Sequence, residues 1–164
     1  MSNPGIKILA CGGTIDKVYF DAKSHYEVGE PQILTILRES NVCISYDIES
    51  ILRKDSLEMN DKDRGEIRRV LDASDSERIL ITHGTDTMVE TAKYLDGVPG
   101  RTIVLTGSME PARFRDTDAV FNIGCAIAAV QTLPPGVYIV MNGRVFDPYR
   151  TRKNVVDGVF EEVG

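Results

Sequence analysis

The sequence predicts an α/β domain: a mostly parallel, doubly wound sheet with helices on both faces. Three observations lead there. Short, near-continuous apolar runs recur at Ile6 to Cys11, Ile79 to Thr82, Thr102 to Thr106 and Val137 to Met141, the pattern of strands buried on both faces. Segments of helical periodicity lie between them, and strands that alternate with helices build a parallel sheet. Two of the runs lead into glycine followed by threonine, Gly12-Gly13-Thr14 and Gly84-Thr85, where a strand end turns tightly at the edge where such sheets bind ligands. The right-handed crossover rule removes most other arrangements and leaves a flavodoxin-like order.

The first strand, Ile6 to Cys11, ends at Gly12-Gly13. Thr14 to Gly29 carries no clear period and alternates polar with aromatic residues, Tyr19, Phe20, Asp21, Ser24, His25 and Tyr26, so a lid or loose hairpin is expected. Pro31 suits a first helical turn, and Ile33, Leu34, Ile36 and Leu37 then form a short amphipathic helix. Val42 to Ile48 alternates as a second strand. Ile51 to Asp63 is polar and turn-rich. Asn60 or Asp61 caps a helix that turns Ile67, Val70 and Leu71 inward. After the loop Ser74 to Glu77 comes the third strand, Ile79 to Thr82, and a helix from about Thr87 to Leu95. Thr87 and Glu90 stand in capping-box spacing, and Gly97 and Pro99 end the helix. The fourth strand, Thr102 to Thr106, leads into the loop Gly107 to Arg115. Asp116 to Asp118 cap an apolar helix, Ala119 to Val130, and Val137 to Met141 is the fifth strand. Asn142 to Gly164 reads as one further strand or helix. No repeat, low-complexity run or linker divides the chain, so residues 1–164 read as one domain.

With 42% hydrophobic and 27% charged residues, the composition is that of a soluble globular protein. A net charge of −6 argues against nucleic acid or an anionic membrane as partner. No apolar run approaches the ~20 residues of a membrane helix, and the N-terminus has no leader pattern. The three cysteines, Cys11, Cys43 and Cys125, are far apart and lack CxxC spacing. Buried thiols in a reducing compartment, hence the cytoplasm, are expected.

No G-x-S-x-G elbow, P-loop or G-x-G-x-x-G is present. Asp61-Lys-Asp-Arg-Gly65 departs from a calcium loop in its glycine and lacks the distal glutamate. His25 and His83 are not at ligand spacing, and His83 reads as a structural donor at its turn. No metal or cofactor is expected. The remaining candidates are threonine, tyrosine, lysine and aspartate. Thr14 and Thr85 each follow glycine at a strand end. A threonine hydroxyl needs a neighbour to take its proton. A buried lysine, its pKa lowered by desolvation, can do so with an aspartate to orient it. Taken singly, either threonine could instead bond turn backbone.

Eight stretches together resemble the bacterial-type L-asparaginase family. They are Gly12-Gly-Thr-Ile15, Ser24-His-Tyr-Glu-Val-Gly29, Ser56-Leu-Glu-Met-Asn-Asp61, Thr82-His-Gly-Thr-Asp-Thr-Met88, Gly107-Ser-Met-Glu-Pro111, Asp118-Ala-Val-Phe-Asn122, Val140-Met-Asn142 and Arg152-Lys-Asn154. They run in family order across nearly the whole chain. The resemblance implies hydrolysis of L-asparagine to aspartate and ammonia. It implies Thr14 as the first catalytic threonine with Tyr26 beside it, and Thr85, Asp86 and Lys153 as the second catalytic group. Ser56 and Asp86 would hold the substrate's α-carboxylate and α-amino group, with Gly13, Leu57, Gly84, Thr85 and Ser108 also at the substrate. Either threonine stands in a setting suited to attack. Leu57 replaces the usual family glutamine. Typical members are roughly twice as long, with a second domain that completes a neighbour's site. The chain is expected to be a naturally short, one-domain member forming a homodimer or homotetramer. Two other readings keep the same residues: a glutamine amidase or ammonia-supplying amidotransferase subunit, and a non-catalytic amino-acid-binding module.

Overall fold

The structure, a computed structural model, describes residues 5–19 and 25–164. In chain order the strands are β1 (Ile6–Gly12), β2 (Lys17–Tyr19), β3 (Tyr26–Val28), β4 (Tyr46–Lys54), β5 (Arg78–Thr82), β6 (Thr102–Thr106), β7 (Gly136–Met141), β8 (Arg144–Phe146), β9 (Thr151–Asn154) and β10 (Val159–Glu162). The α-helices are α1 (Ile33–Glu39), α2 (Asp61–Ala73), α3 (Met88–Tyr94) and α4 (Ala119–Thr132).

The main sheet runs β4-β1-β5-β6-β7-β8. Its first five strands are parallel, and β8 closes the edge antiparallel to β7. This is the doubly wound, flavodoxin-like order expected from the alternation of strands and helices. Residues on successive positions of β1 go to opposite cores. Leu9 and Cys11 pack with Ile67 and Leu71 of α2 and Met88 and Ala92 of α3, while Ile6 and Ile8 pack with Ile33 and Leu37 of α1 and Ile123 and Val130 of α4. Two helices therefore cover each face.

Several expectations are corrected. The second strand is not Val42 to Ile48 but starts at Tyr46 and continues to Lys54. Asn41, at φ 51, turns the chain out of α1, and β4 forms the sheet edge, which tolerates a polar outer side. Cys43 is consequently exposed and Cys125 only half-buried, so Cys11 alone is a core thiol. Thr87 forms no capping box: its side chain makes no cap bond to α3 and instead donates to the Ser56 carbonyl. Asp118 makes no side-chain cap bond to α4 either. Its carboxylate accepts from the N–H groups of Met109 and Glu110 and from Asn122 Nδ2, and so fixes the loop after β6. Asn60 does cap α2, in a reciprocal capping box with Asp63. The C-terminal stretch holds three strands rather than one element, with β9 and β10 forming a separate hairpin.

The segment after Thr14 contains the expected hairpin, β2 paired with β3; residues 20–24, with Phe20, Asp21 and Ser24, lie outside the described residues. Asp16 fastens its base. The Asp16 carbonyl accepts from Gly29 N–H at 2.8 Å, and its carboxylate accepts from Gln32 N–H at 2.8 Å. The side chain is buried, and that desolvation pushes its pKa up to about 7 despite the Gln32 bond and the nearby Arg53 charge, with Glu30 adding to the rise. The folded state therefore holds a proton that the unfolded chain releases above 3.8. Stability contributed by Asp16 is present at low pH, declines as pH rises from 3.8 to about 7, and is flat beyond. The variant Asp16→Asn keeps an acceptor for Gln32 and removes the titration. Urea unfolding of both proteins at the two ends of that window should show Asp16→Asn gaining on the wild type as pH rises; a constant difference would remove Asp16 as the source.

Candidate active site

Three strand-end turns meet where the parallel sheet ends. At the end of β1, Gly12 and Gly13 take positive φ values of 82° and 86°, backbone that only glycine adopts cheaply. Gly13 N–H donates to the Lys54 carbonyl at the end of β4. A methyl group on Gly13 would lie 2.4 Å from the Gly84 Cα, and one on Gly84 would lie 2.6 Å from the Ser56 Cβ and Oγ. The backbones at Gly13, Gly84 and Ser56 are thus packed in direct contact. This brings together the turns after β1, β4 and β5.

Each turn delivers one side chain. Thr14 opens a short 3-10 turn, Thr14–Asp16. Its half-buried hydroxyl bonds no partner among the described residues. Ser56 is buried, begins the 3-10 turn Ser56–Glu58, and accepts from Thr87 N–H through its hydroxyl at 3.3 Å. Thr85 is buried and follows Gly84.

The fourth contribution arrives from the C-terminal hairpin. Lys153 in β9 reaches Thr85 Oγ1 at 2.8 Å and Asp86 Oδ1 at 2.7 Å. The hairpin that carries it is anchored at Phe160, which is buried against Phe146 and whose N–H donates to Asn142 Oδ1 at 2.8 Å. Asn142 accepts there from a left-handed φ of 53° just past β7. The Lys153 side chain is 16% exposed and that of Asp86 35%, so this ion pair is partly shielded yet open to a ligand. A cavity of about 280 Å³ beside it is lined by Asp86, Glu90, Arg152 and Lys153 among others. The cluster therefore offers an unbonded hydroxyl, a second hydroxyl joined to an amine, and a carboxylate. These are groups that can attack a carbonyl carbon, move a proton and hold a cationic substrate group.

Gly13, Thr14, Ser56, Gly84, Thr85, Asp86 and Lys153 are thus assembled from four separate stretches. The other expected residues share no hydrogen bond with this group among the described residues. Tyr26 is on β3, its ring packed against Tyr19 and Phe114 at centroid distances of 5.2 and 6.2 Å, and no hydrogen bond joins it to Thr14. Leu57 stands 71% exposed. Ser108 is fully buried, with its hydroxyl donated to the Glu110 carbonyl of its own loop.

His83 is the structural donor expected at its turn. Burial pushes its imidazole down to about 4, against the Gly84 bond that favours a proton and with the Arg64 charge acting further downward. Its supports, Thr91 and Arg64, were not singled out from the sequence. Each stands on the inward face of its helix, Thr91 among Met88, Ala92 and Leu95 and Arg64 one turn before Ile67. A polar residue on an apolar stripe is the signal that marks them.

Comparisons with known proteins give the family of the chain. The family model described as "Asparaginase, N-terminal" matches residues 5–159. A Haemophilus influenzae protein described as a probable periplasmic L-asparaginase is 32% identical over 153 residues, which cover 87% of this chain and 44% of that protein. A glutaminase-asparaginase of Pseudomonas fluorescens is 30% identical over 154 residues, covering 85% of this chain and 42% of its own. The crystal structure of a probable cytoplasmic L-asparaginase from Campylobacter jejuni superposes with a TM-score of 0.80 at 28% identity, covering 96% of this chain and 53% of that one. The chain thus spans about half the length of the relatives it matches. With the sheet order, the nested glycine turns and the Thr85–Lys153–Asp86 group in one place, the chain belongs to the asparaginase family, and the part of that family it matches is the N-terminal domain.

Proposed function

We propose that the chain is an L-asparaginase that hydrolyses the side-chain amide of L-asparagine to L-aspartate and ammonia by threonine-dependent acyl transfer. The observation that carries this reading is Lys153 bonded at once to Thr85 and Asp86, at 2.8 and 2.7 Å, beside the turn that presents Thr14. Asp86 holds the substrate's ammonium group, and the Ser56 hydroxyl with nearby backbone N–H groups holds its α-carboxylate. The Thr14 oxygen attacks the carboxamide carbon. Its proton passes to the departing amine through Tyr26 or the Lys153 network, and ammonia leaves. Backbone N–H groups near Gly13 or Thr85 stabilise the negative oxygen formed on the way. Water, positioned by Thr85 and Lys153, then cleaves the Thr14 ester, returns the proton to Thr14 and releases aspartate.

Glutamine is the second substrate to test, because one relative is a glutaminase-asparaginase and one methylene changes pocket selectivity by only ~10–200-fold. We propose the cytoplasm as its compartment, a reading supported by three unpaired cysteines. Among the described residues no helix is long and apolar enough to cross a membrane. Self-association as a homodimer or homotetramer belongs to the same proposal, supported by the bare side chains of Val155 and Val156 beside Lys153, 75% and 94% exposed. Light scattering of the purified chain at a single monomer mass would remove it.

Ammonia release from L-asparagine, with L-glutamine in parallel, tests the activity. Thr14→Ala should abolish release while leaving the melting temperature close to that of the wild type. Equal release by both proteins would take Thr14 out of the reaction, and an acyl adduct trapped on Thr85 would transfer the attack to that residue. Tyr26→Phe should lower kcat by about 10²- to 10⁴-fold if Tyr26 is the proton carrier. Undiminished turnover would assign the proton to the Lys153 network instead.

A further inference from the structure

Behind the Thr85 turn lies a chain of buried polar groups that the reaction above does not use. Arg64 Nε donates to Thr91 Oγ1 at 3.1 Å, Thr91 Oγ1 lies 2.8 Å from His83 Nε2, and His83 Nδ1 lies 2.7 Å from the Gly84 carbonyl oxygen. His83 and Thr91 are completely buried and Arg64 is 8% exposed. The direction of every bond follows from the two ends. A guanidinium only donates and a carbonyl only accepts. Nδ1 must therefore carry a hydrogen to bond Gly84. A buried imidazole with Arg64 nearby is neutral, so Nε2 carries none and accepts from Thr91. The Thr91 hydroxyl donates to His83 while its oxygen accepts from Arg64. No other assignment satisfies all three bonds with a neutral ring.

The last bond fixes a peptide plane. Ser56 and Gly13 press on the Gly84 backbone from outside, and the imidazole holds its carbonyl oxygen from the inner side. That bond keeps the oxygen turned inward. The peptide bond is trans and planar, so the N–H of Thr85 points the opposite way, out of the core. That N–H bonds no acceptor among the described residues. It belongs to the residue whose hydroxyl is joined to Lys153.

We propose that His83, set as the Nδ1–H tautomer by Arg64 and Thr91, is a positioning residue that aims the Thr85 N–H at the oxygen of the scissile amide as that oxygen becomes negative. This deepens the amidase reading and rests on it. It assigns the donor to the reacting oxygen rather than to the substrate's α-carboxylate, so loss of the relay should lower kcat and leave KM in place.

The test has two readouts. Long-range ¹⁵N–¹H spectra of the labelled chain report the ring tautomers, with His25→Gln identifying the His83 signals. A neutral Nδ1–H ring near neutral pH is expected; an Nε2–H or doubly protonated ring overturns the proposal. Thr91→Val keeps the shape of the side chain but removes the hydroxyl. It should lose the fixed tautomer and lower kcat by about 10- to 100-fold, with KM within about twofold, as a misaimed donor does. Thr91→Ser should restore both. A Thr91→Val enzyme with wild-type kcat, or one changed only in KM, overturns the proposal. If Thr91→Val does not fold, Arg64→Met removes the head of the chain and should show the same split. A wild-type chain that releases no ammonia would defeat the amidase reading alone. The relay would then stand or fall on the ring spectra, and an unchanged tautomer in Thr91→Val would end it.

Discussion

The contact of Gly84 with Gly13 on one side and Ser56 on the other determines where every chemical group of the site lies. Three loops can converge on a point this small only because two of them lack a Cβ. A single methyl at either glycine would fall within 2.4 to 2.6 Å of a neighbouring atom, so the site is closed to any larger residue there. The parallel sheet supplies the convergence. Adjacent strands β4, β1 and β5 all run the same way and release their chains at one edge. The glycines turn that general property of parallel sheets into a contact.

Around this contact the polar groups are graded by their access to water. Deepest is the Arg64–Thr91–His83 chain, in which a neutral imidazole and a hydroxyl satisfy each other and avoid the penalty of burying an unpaired polar atom. The Ser56 and Thr85 hydroxyls are as deeply buried as this chain, whose Arg64 end reaches toward the surface. Outermost is the Lys153–Asp86 pair, where charge remains partly hydrated. The order suits chemistry on a small charged substrate. Groups that orient the backbone are sealed from solvent, and groups that exchange protons and bind charge remain accessible. Outside the site, Thr82 Oγ1 is the single buried side-chain oxygen or nitrogen without a partner among the described residues.

Lys153 shows how a remote segment can be held to catalytic tolerance. Its strand is not part of the main sheet. Position comes instead from Phe160 in the core and from the Asn142 side chain, which accepts a backbone bond that a sheet neighbour would otherwise supply. The hairpin base carrying Thr14 is secured in a similar way by Asp16, through one backbone and one side-chain bond. In both places a single polar residue replaces the ladder of hydrogen bonds that a longer strand would have.

The sequence by itself determined the order of the five parallel strands, the helices and, through the family resemblance, the residue types of the site. Those features depend on local periodicity, on glycine at strand ends and on motifs whose spacing is short. It also narrowed the cap of α2 to Asn60 or Asp61, because a cap is satisfied within three residues of its own helix. The tertiary structure alone decided what long-range partners decide. Thr87 has the spacing of a cap, yet its hydroxyl goes to Ser56, thirty-one positions away. Asp118 likewise bonds the loop before α4 and the Asn122 side chain rather than the first N–H groups of the helix. The extent of β4 was set by its place at the sheet edge, and the strands after β7 by pairings whose apolar runs are too short to show a period. The tautomer of His83 could be assigned only once Arg64, Thr91 and Gly84 were seen around one ring. Hydrogen bonds between distant residues leave no periodic trace in a sequence, and these are the bonds that aim the site.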